Sequence, residues 1–250
     1  MKKIVVCGKI HSTGMAILES RSDLEVVSIL DTCSKSLIPE VYLADGIILR
    51  TQVFREPIIK KCLSLKIVSR HGVGFDTIDV QALTEKKIAL TLVGDVNADT
   101  VAEHVFAMLL GISRKLINHD RSVRNQRWDV RNNLETFELR GRTFLVIGLG
   151  RIGMRVESLA KGFGMKTFVF DPYIDKTKAE YEQVAFVDSL EEGLSFADIV
   201  SLHVPGSKKP VMDAKAFSFL KPGSYLINTA RGDLVDERAL KSALDNGTLA

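Results

Sequence analysis

The sequence predicts an α/β protein built from two units, each a parallel sheet covered by helices. Two observations lead to this prediction. Short apolar runs alternate with helical patterns along the chain, and one strongly helical stretch separates an earlier set of runs from a later set. With 250 residues, 46% of them hydrophobic, the chain can bury a sizeable core and forms two domains more naturally than one.

The first unit contains five apolar runs, which we assign to strands at residues 4–7, 25–29, 46–49, 66–69 and 88–92. A helix is predicted over residues 98–114, and its apolar side chains form two adjoining rows: Val101, Val105, Met108 and Ile112, then Ala102, Phe106 and Leu109. A helix this apolar is expected to be buried on more than one side, between the two units, against another subunit or in an ordinary core. We place the domain boundary here, with residues 1–97 before it and residues 98–250 after it.

After this helix, residues 118–138 are polar and carry Trp128 among several arginines, which is typical of a solvated connection. The second unit then repeats the α/β rhythm. Two predicted strands end at Gly148 and Asp171, and three more cover residues 184–187, 198–203 and 224–228. Ser189 is expected to cap a helix, and the Lys-Pro-Gly sequence at residues 221–223 predicts a turn.

Charge and cysteine content argue against several classes of protein. The chain has 34 basic and 31 acidic residues, and no basic cluster long enough to indicate nucleic acid as its main partner. Cys7, Cys33 and Cys62 lack metal-ligand spacing, so we expect reduced thiols in the core and no metal site. No apolar run approaches the roughly 18 residues of a membrane span, and no signal peptide is recognisable, so a cytoplasmic location is expected.

A glycine-rich turn at residues 148–153, with the sequence GLGRIG, lies between a predicted strand and a predicted helix. Gly148 permits the tight turn, Gly150 lets the backbone approach a pyrophosphate, and Gly153 lets the helix pack close to the strand. The phosphates would lie at the helix N-terminus. Asp171 stands 23 residues after Gly148, where an acidic side chain reaches the ribose hydroxyls of NAD. No arginine adjoins it to hold a 2′-phosphate, so the segment predicts a Rossmann domain that prefers NAD to NADP.

Other candidate ligand-binding residues follow predicted strands, where parallel sheets place their binding loops. The glycines of residues 70–76 favour an anion nest, and Arg231 can hold a carboxylate through two parallel hydrogen bonds. Residues 203–206 should flank the dinucleotide. Arg50 is either a positive charge at the substrate end, together with Arg70, or part of a surface ion pair.

At these segments the chain resembles the NAD-dependent D-isomer-specific 2-hydroxyacid dehydrogenases, which include the phosphoglycerate dehydrogenases. The resemblance spans essentially the whole chain. Its motifs are GVGFDTID at 72–79, Asn97 with VAEH at 101–104, ELRGR at 138–142, HVP at 203–205, LKPG at 220–223, NTARG at 228–232 and VDE at 235–237.

The resemblance implies a flavodoxin-like substrate lobe, an NAD-binding Rossmann domain and a cleft between them, with hydride transfer between nicotinamide C4 and substrate C2. It implies that Arg231 is the catalytic arginine and that the backbone of Val73 and Gly74 binds the same substrate carboxylate. Motif and resemblance together give these cofactor-binding residues: Thr100, Gly148, Gly150, Arg151, Ile152, Gly153, Asp171, His203, Val204, Pro205, Thr229 and Ala230.

The expected substrate is a small 2-hydroxy or 2-oxo acid, and 3-phosphoglycerate, glyoxylate, hydroxypyruvate and lactate all stay open. A homodimer is usual in the family. A cofactor sensor resembling the corepressors of this fold family, or a methyltransferase with a similar glycine loop, is the alternative.

Family members continue past the position of Ala250 into a strand with an acidic residue and a loop with the catalytic histidine. The histidines of this sequence do not match that position: His11, His71, His104, His119 and His203. Either the sequence is the N-terminal portion of a longer dehydrogenase, or it is a short chain that binds NAD without the proton-transfer pair. We favour the first explanation because a sheet edge would otherwise be uncovered.

Overall fold

The computed structural model describes residues 1–30 and 39–250, which form two compact units, Met1–Val96 and Asn97–Ala250. The division falls one residue before the boundary expected from the sequence, and Asn97 directly precedes the first helix of the second unit. Cys33 lies outside the described residues.

The first unit is a five-stranded parallel sheet with helices between its strands. The strands are β1 (Lys2–Cys7), β2 (Leu24–Ile29), β3 (Gly46–Leu49), β4 (Ile67–Arg70) and β5 (Ala89–Leu92), and the helices are α1 (Ser12–Glu19), α2 (Glu56–Ile59) and α3 (Val80–Glu85). The strand order is β2-β1-β3-β4-β5, which is the flavodoxin-like order predicted for this unit.

The core of the first unit lies around β1, β3 and β4, whose central residues are shielded on both faces of the sheet. Cys7 and Cys62 are buried there as free thiols, as expected from the sequence. Burial raises the pKa of Cys7 to about 12, because the thiolate would lose its solvation in this apolar setting.

The second unit contains a four-stranded parallel sheet and a longer set of helices. Its strands are β6 (Thr143–Ile147), β7 (Lys166–Phe170), β8 (Ile199–Leu202) and β9 (Tyr225–Asn228). Its helices are α4 (Ala98–Ser113), α5 (Leu116–Arg124), α6 (Arg151–Gly162), α7 (Leu190–Phe196), α8 (Ala214–Ser218) and α9 (Glu237–Asp245). Short 3₁₀ helices cover Trp128–Asn133, Ala179–Tyr181 and Gly232–Leu234.

Strand order identifies the second unit as a Rossmann fold. The four strands run in the order β7-β6-β8-β9, and single parallel bridges extend the sheet at both edges. Phe186 pairs with Val169 of β7, and Leu249 pairs with Ser224, just before β9. When each bridge is counted as a strand and the strands are numbered along the chain, the order is 3-2-1-4-5-6, as in dinucleotide-binding sheets. Strand 3 is the bridge at Phe186, and strand 6 is the bridge at Leu249.

β6 lies at the centre of this unit and is buried on both faces. Phe144 and Val146 pack on one side with α4 and α6, whereas Leu145 and Ile147 pack on the other with residues of α7 and α8. Side chains alternate across a strand, so one short apolar run fills two core layers. The carboxyl end of β6, where the glycine turn begins, is therefore held rigidly.

Three sequence expectations need correction. The strand predicted at 184–187 is only the Phe186 bridge, because its backbone bonds to β7 involve Val169 alone: Val169 N donates to Ala185 O and Val187 N donates to Val169 O. The predicted connection at 118–138 contains α5 and a 3₁₀ helix. Ile112, assigned to the apolar stripe of α4, is 37% exposed.

α4 packs in the core of its own unit, and the predicted Ser189 cap is present. α4 contributes Ala102, Val105, Phe106 and Leu109 to an ordinary core within the second unit. Ser189 caps α7, since its side chain accepts a hydrogen bond from Glu192 N at 3.1 Å. Within residues 1–30 and 39–250, no helix combines the length and the apolar character needed to cross a membrane.

Candidate functional site

The turn between β6 and α6 is held by close backbone packing. Gly148 has φ of +93°, and a Cβ there would lie 2.6 Å from Val204 Cγ1 and 2.9 Å from His203 O. A Cβ at Gly153 would lie 2.0 Å from Gly148 O. Neither position therefore accepts a side chain. At Gly150, which caps α6, a Cβ would meet no described atom within 4 Å, so the backbone is open to a ligand on this side.

Asp171 follows β7 and is bound to the same turn. Its Oδ2 accepts a hydrogen bond from Leu149 N at 2.9 Å, and its Oδ1 accepts one from Tyr173 N at 2.9 Å. These bonds fix the carboxylate next to the glycine loop. The structure therefore brings together the glycine turn, Asp171 and the segment after β8 that carries His203 and Val204.

His203 follows β8, next to the glycine turn, and its imidazole ring is neutral. Its Nε2 is 2.8 Å from the hydroxyl of Ser201, which is completely buried in β8. Burial lowers the pKa of His203 to about 4, because the imidazolium form would lose its hydration. The side chain adds no positive charge to the site at neutral pH, which agrees with its interpretation as a strand-end residue near the cofactor.

A surface pocket of about 420 Å³ lies between α4 and the end of β9. Its lining includes Thr100 and Thr229, two residues predicted to contact the cofactor, together with His104 and Asn228. The Thr229 hydroxyl is buried and has no hydrogen-bond partner within the described part of the chain. A buried hydroxyl without a partner is energetically unfavourable, so this group is suited to a ligand.

Arg231 is presented by a turn that Asn228 closes. Asn228 Oδ1 accepts a hydrogen bond from Ala230 N at 3.0 Å, and its Nδ2 donates to Arg231 O at 2.7 Å. Arg231 Nη1 donates to Ala230 O at 2.8 Å. The segment after β8 reaches the same turn, since a Cβ on Gly206 would lie 3.0 Å from Asp233 Oδ2.

In the first unit, the predicted substrate residues follow β3 and β4 at the carboxyl edge of the sheet. Arg50 is exposed, and its Nη1 donates to Lys9 O at 3.2 Å. Val73 and Gly74 belong to the loop after β4, whose far end is held by Arg55, which donates to Asp76 O at 2.7 Å. Arg50, expected to contact substrate or to form a surface ion pair, is thus oriented by a backbone carbonyl.

Sequence reasoning missed two residues that shape the site. Ser201 is the one polar residue of β8, two positions before His203 and therefore on the same face of the strand, which was a usable signal. Asn228 ends β9 directly before a turn, where asparagine side chains commonly bond to nearby backbone groups. Both act through hydrogen bonds to residues that were singled out.

Comparison with known proteins gives the family. The family model described as "D-isomer specific 2-hydroxyacid dehydrogenase, NAD binding domain" matches residues 106–250, more than half of the chain. The chain belongs to this family. Its match confirms NAD as the cofactor predicted from the glycine turn and Asp171.

Relatives extend the similarity to the first unit. The chain is 37% identical over its whole length to D-3-phosphoglycerate dehydrogenase of Methanocaldococcus jannaschii and covers 48% of that protein. It is 35% identical over 92% of its length to D-3-phosphoglycerate dehydrogenase of Archaeoglobus fulgidus and covers 44% of that protein. The chain therefore spans about half the length of these curated relatives.

Solved dehydrogenase structures are similar to both units of this chain. D-lactate dehydrogenase from Aquifex aeolicus, complexed with NAD and lactic acid, is 31% identical with a TM-score of 0.87, and the match covers 98% of this chain and 74% of that one. NAD-dependent formate dehydrogenase from Staphylococcus aureus in complex with NAD is 27% identical with a TM-score of 0.86, covering 99% of this chain and 79% of that one.

Neutral His203 leads to a prediction about pH. The pKa of His203 is about 4 in the folded chain, against 6.5 for an ordinary histidine in the unfolded chain, so below pH 6.5 protons bind preferentially to the unfolded chain. This residue's contribution to stability is complete above pH 6.5 and is lost as the pH falls toward 4. Between these values, the free energy of unfolding from urea titrations should drop by up to about 3 kcal/mol more in the wild type than in His203→Gln.

His104→Gln, on the exposed face of α4, is the matched control and should retain the wild-type pH dependence. Parallel curves for wild type and His203→Gln would contradict the assignment of a buried, neutral imidazole.

Proposed function

We propose that the whole protein is an NAD-dependent oxidoreductase that interconverts a D-2-hydroxy acid and its 2-oxo acid. The observation that carries this proposal is the glycine turn of the second unit, where Gly148 and Gly153 exclude side chains and Asp171 is bound to Leu149 N. Membership of the chain in the D-isomer-specific 2-hydroxyacid dehydrogenase family supports the same reaction class. Bound NAD would supply the hydride acceptor or donor at its nicotinamide ring.

Each unit has a separate role in this proposal. In the second unit, backbone N–H groups at the start of α6 hold the pyrophosphate, and Asp171 accepts hydrogen bonds from the adenosine ribose. Thr100 and Thr229 line the nicotinamide side, where the unpartnered Thr229 hydroxyl is available to a polar group of the ring substituent. In the first unit, the backbone of Val73 and Gly74 binds the substrate carboxylate.

Arg231 has the catalytic role. Its guanidinium orients the carboxylate of the 2-oxo acid and polarises the carbonyl that receives hydride. The hydrogen bonds from Asn228 hold the turn that presents it. The proton transfer requires a further acid/base group, for which His203 is unsuitable because its pKa of about 4 leaves it neutral and its ring is bound to Ser201.

The proposed substrate is a small anionic 2-hydroxy acid, with 3-phosphoglycerate as the first candidate. The two relatives named above are D-3-phosphoglycerate dehydrogenases, and Arg50 adds an exposed positive charge at the carboxyl edge of the first sheet. We also assign the protein to the cytoplasm, an assignment supported by the free thiols Cys7 and Cys62.

A homodimer is part of the proposal. α5 and the 3₁₀ helix Trp128–Asn133 bury none of their side chains, and they expose Ile117 and Trp128, each 67% accessible. Both aspartates of the segment are in ion pairs, Asp120 with Arg124 and Asp129 with Arg127. Large apolar side chains exposed in this way are suited to contact with a second copy of the chain.

The cofactor site is tested by calorimetric titration with NADH. The wild-type chain should bind in the micromolar range, and Asp171→Ala should weaken binding about tenfold because the ribose loses a charged acceptor. Asp188→Ala removes a completely exposed carboxylate elsewhere in the unit and should bind as the wild type does. Equal affinity of all three chains would refute the ribose role of Asp171.

Turnover by the whole protein tests the reaction. With NAD and 3-phosphoglycerate, glycerate or lactate, Arg231→Gln should lower kcat/KM about 10²-fold to 10³-fold and leave the Kd for NADH unchanged. Arg238→Gln, an exposed arginine at the start of α9, is the control. A protein that binds NADH but oxidises none of these acids would contradict the proposed reaction and favour a cofactor-sensing role.

The dimer is tested by sedimentation velocity. Ile117→Lys and Trp128→Lys should each shift the wild-type dimer toward monomer, because a buried lysine would be left without a partner. Leu63→Lys changes a similarly exposed residue of the first unit and should leave the dimer intact. A monomeric wild type would contradict the proposal. Trp128 is the single tryptophan, so its fluorescence reports directly on this surface.

A further inference from the structure

Arg70, at the end of β4, directs its guanidinium group into the loop that follows it. Nε donates to Gly74 O at 2.8 Å, and Nη1 donates to His71 O at 2.9 Å and to Leu49 O at 3.3 Å. One side chain thus binds two carbonyls of its own loop and one carbonyl from the end of β3. The sequence placed Arg70 near a charged substrate, and the structure adds the carbonyl groups that its guanidinium binds.

Gly72 allows the loop to close around the guanidinium. A Cβ at this position would lie 3.0 Å from both Cζ and Nη1 of Arg70 and 3.2 Å from Nη2. Contacts this short are tighter than most real Cβ contacts, so an alanine here would require the guanidinium to shift by a few tenths of an ångström. The glycine and the arginine therefore form one structural unit.

The carbonyl oxygens of this loop accept hydrogen bonds, but two of its N–H groups have no acceptor within the described part of the chain. The carbonyls of His71 and Gly74 accept from Arg70, whereas the N–H groups of Val73 and Gly74 reach no acceptor among the residues that the structure describes. A peptide loop whose carbonyls are bound by a cation has N–H groups left over for an anion. The guanidinium also places a fixed positive charge within the loop.

We propose that Arg70 is a positioning residue for carboxylate binding: by binding the loop carbonyls, it keeps the N–H groups of Val73 and Gly74 available to the substrate carboxylate. This proposal rests on the carboxylate role given to those N–H groups above. Arg70 acts through the loop and needs no contact with substrate. Lysine cannot replace it, because a single ammonium group lacks the planar set of donors that spans the three carbonyls.

The test is a pyruvate titration of the 250-residue chain, followed by amide proton–nitrogen NMR at Val73 and Gly74, with sodium chloride as the ionic-strength control. Pyruvate should shift both signals in the wild type. Arg70→Lys should raise the Kd about tenfold, since it breaks hydrogen bonds from a charged donor. Gly72→Ala, which displaces the guanidinium and keeps its charge, should weaken binding in the same way.

Arg55→Lys is the matched control, because Arg55 binds the same loop at Asp76 O, two residues beyond Gly74. It should leave the Kd near the wild-type value. Melting temperatures of all variants separate loss of affinity from loss of stability: a purely structural role for Arg70 would lower the melting temperature and leave the Kd unchanged, which would overturn the proposal.

Different results would refute the carboxylate site and the role of Arg70. Absence of shifts at Val73 and Gly74 in the wild type would refute the carboxylate site and the role of Arg70 with it. Wild-type binding that Arg70→Lys and Gly72→Ala retain in full would refute the role of Arg70 alone. Equal weakening by Arg55→Lys would assign the effect to general loop stability and would also refute it.

Discussion

Close packing between Gly153 and the carbonyl of Gly148 constrains the whole second unit. A Cβ on Gly153 would lie 2.0 Å from that oxygen, so α6 can approach β6 this closely only because residue 153 is a glycine. The approach sets the direction of α6 and leaves its first N–H groups facing the turn. It also brings Leu149 N to the carboxylate of Asp171. The cofactor site therefore depends on an interaction that involves no functional side chain.

The two loops assigned to substrate binding share one structural device. Each follows a parallel strand, and in each a polar side chain at the end of that strand binds the backbone of the following turn. Asn228 does so for the turn that carries Arg231, and Arg70 does so for the loop of Val73 and Gly74. Side-chain bonds of this kind fix loops that lack the regular ladders of a sheet. Preorganised loops lose less entropy when a ligand binds.

The strands and the glycine turn were predictable because they depend on short-range pattern. β3 was predicted at its observed bounds, and β6 and β7 ended where the apolar runs ended. These runs are buried on both faces, so each residue of the run contributes to the signal. The predicted strand at 184–187 failed because pairing depends on residues outside the apolar run, and this run pairs with β7 at Val169 alone.

Sequence alone determined the two-unit α/β architecture, the dinucleotide turn and the acidic residue beside it. The spacing of the glycines, the lengths of the strands and the number of residues between the turn and the acidic residue can all be read from the sequence itself. Tertiary structure alone decided which groups the polar side chains bind. The guanidinium of Arg70 binds carbonyls of β3 and of its own loop, and His203 is neutral because it is buried beside Ser201. Hydrogen-bond partners and burial arise from residues distant in sequence that the sheet brings together, and no local pattern specifies them.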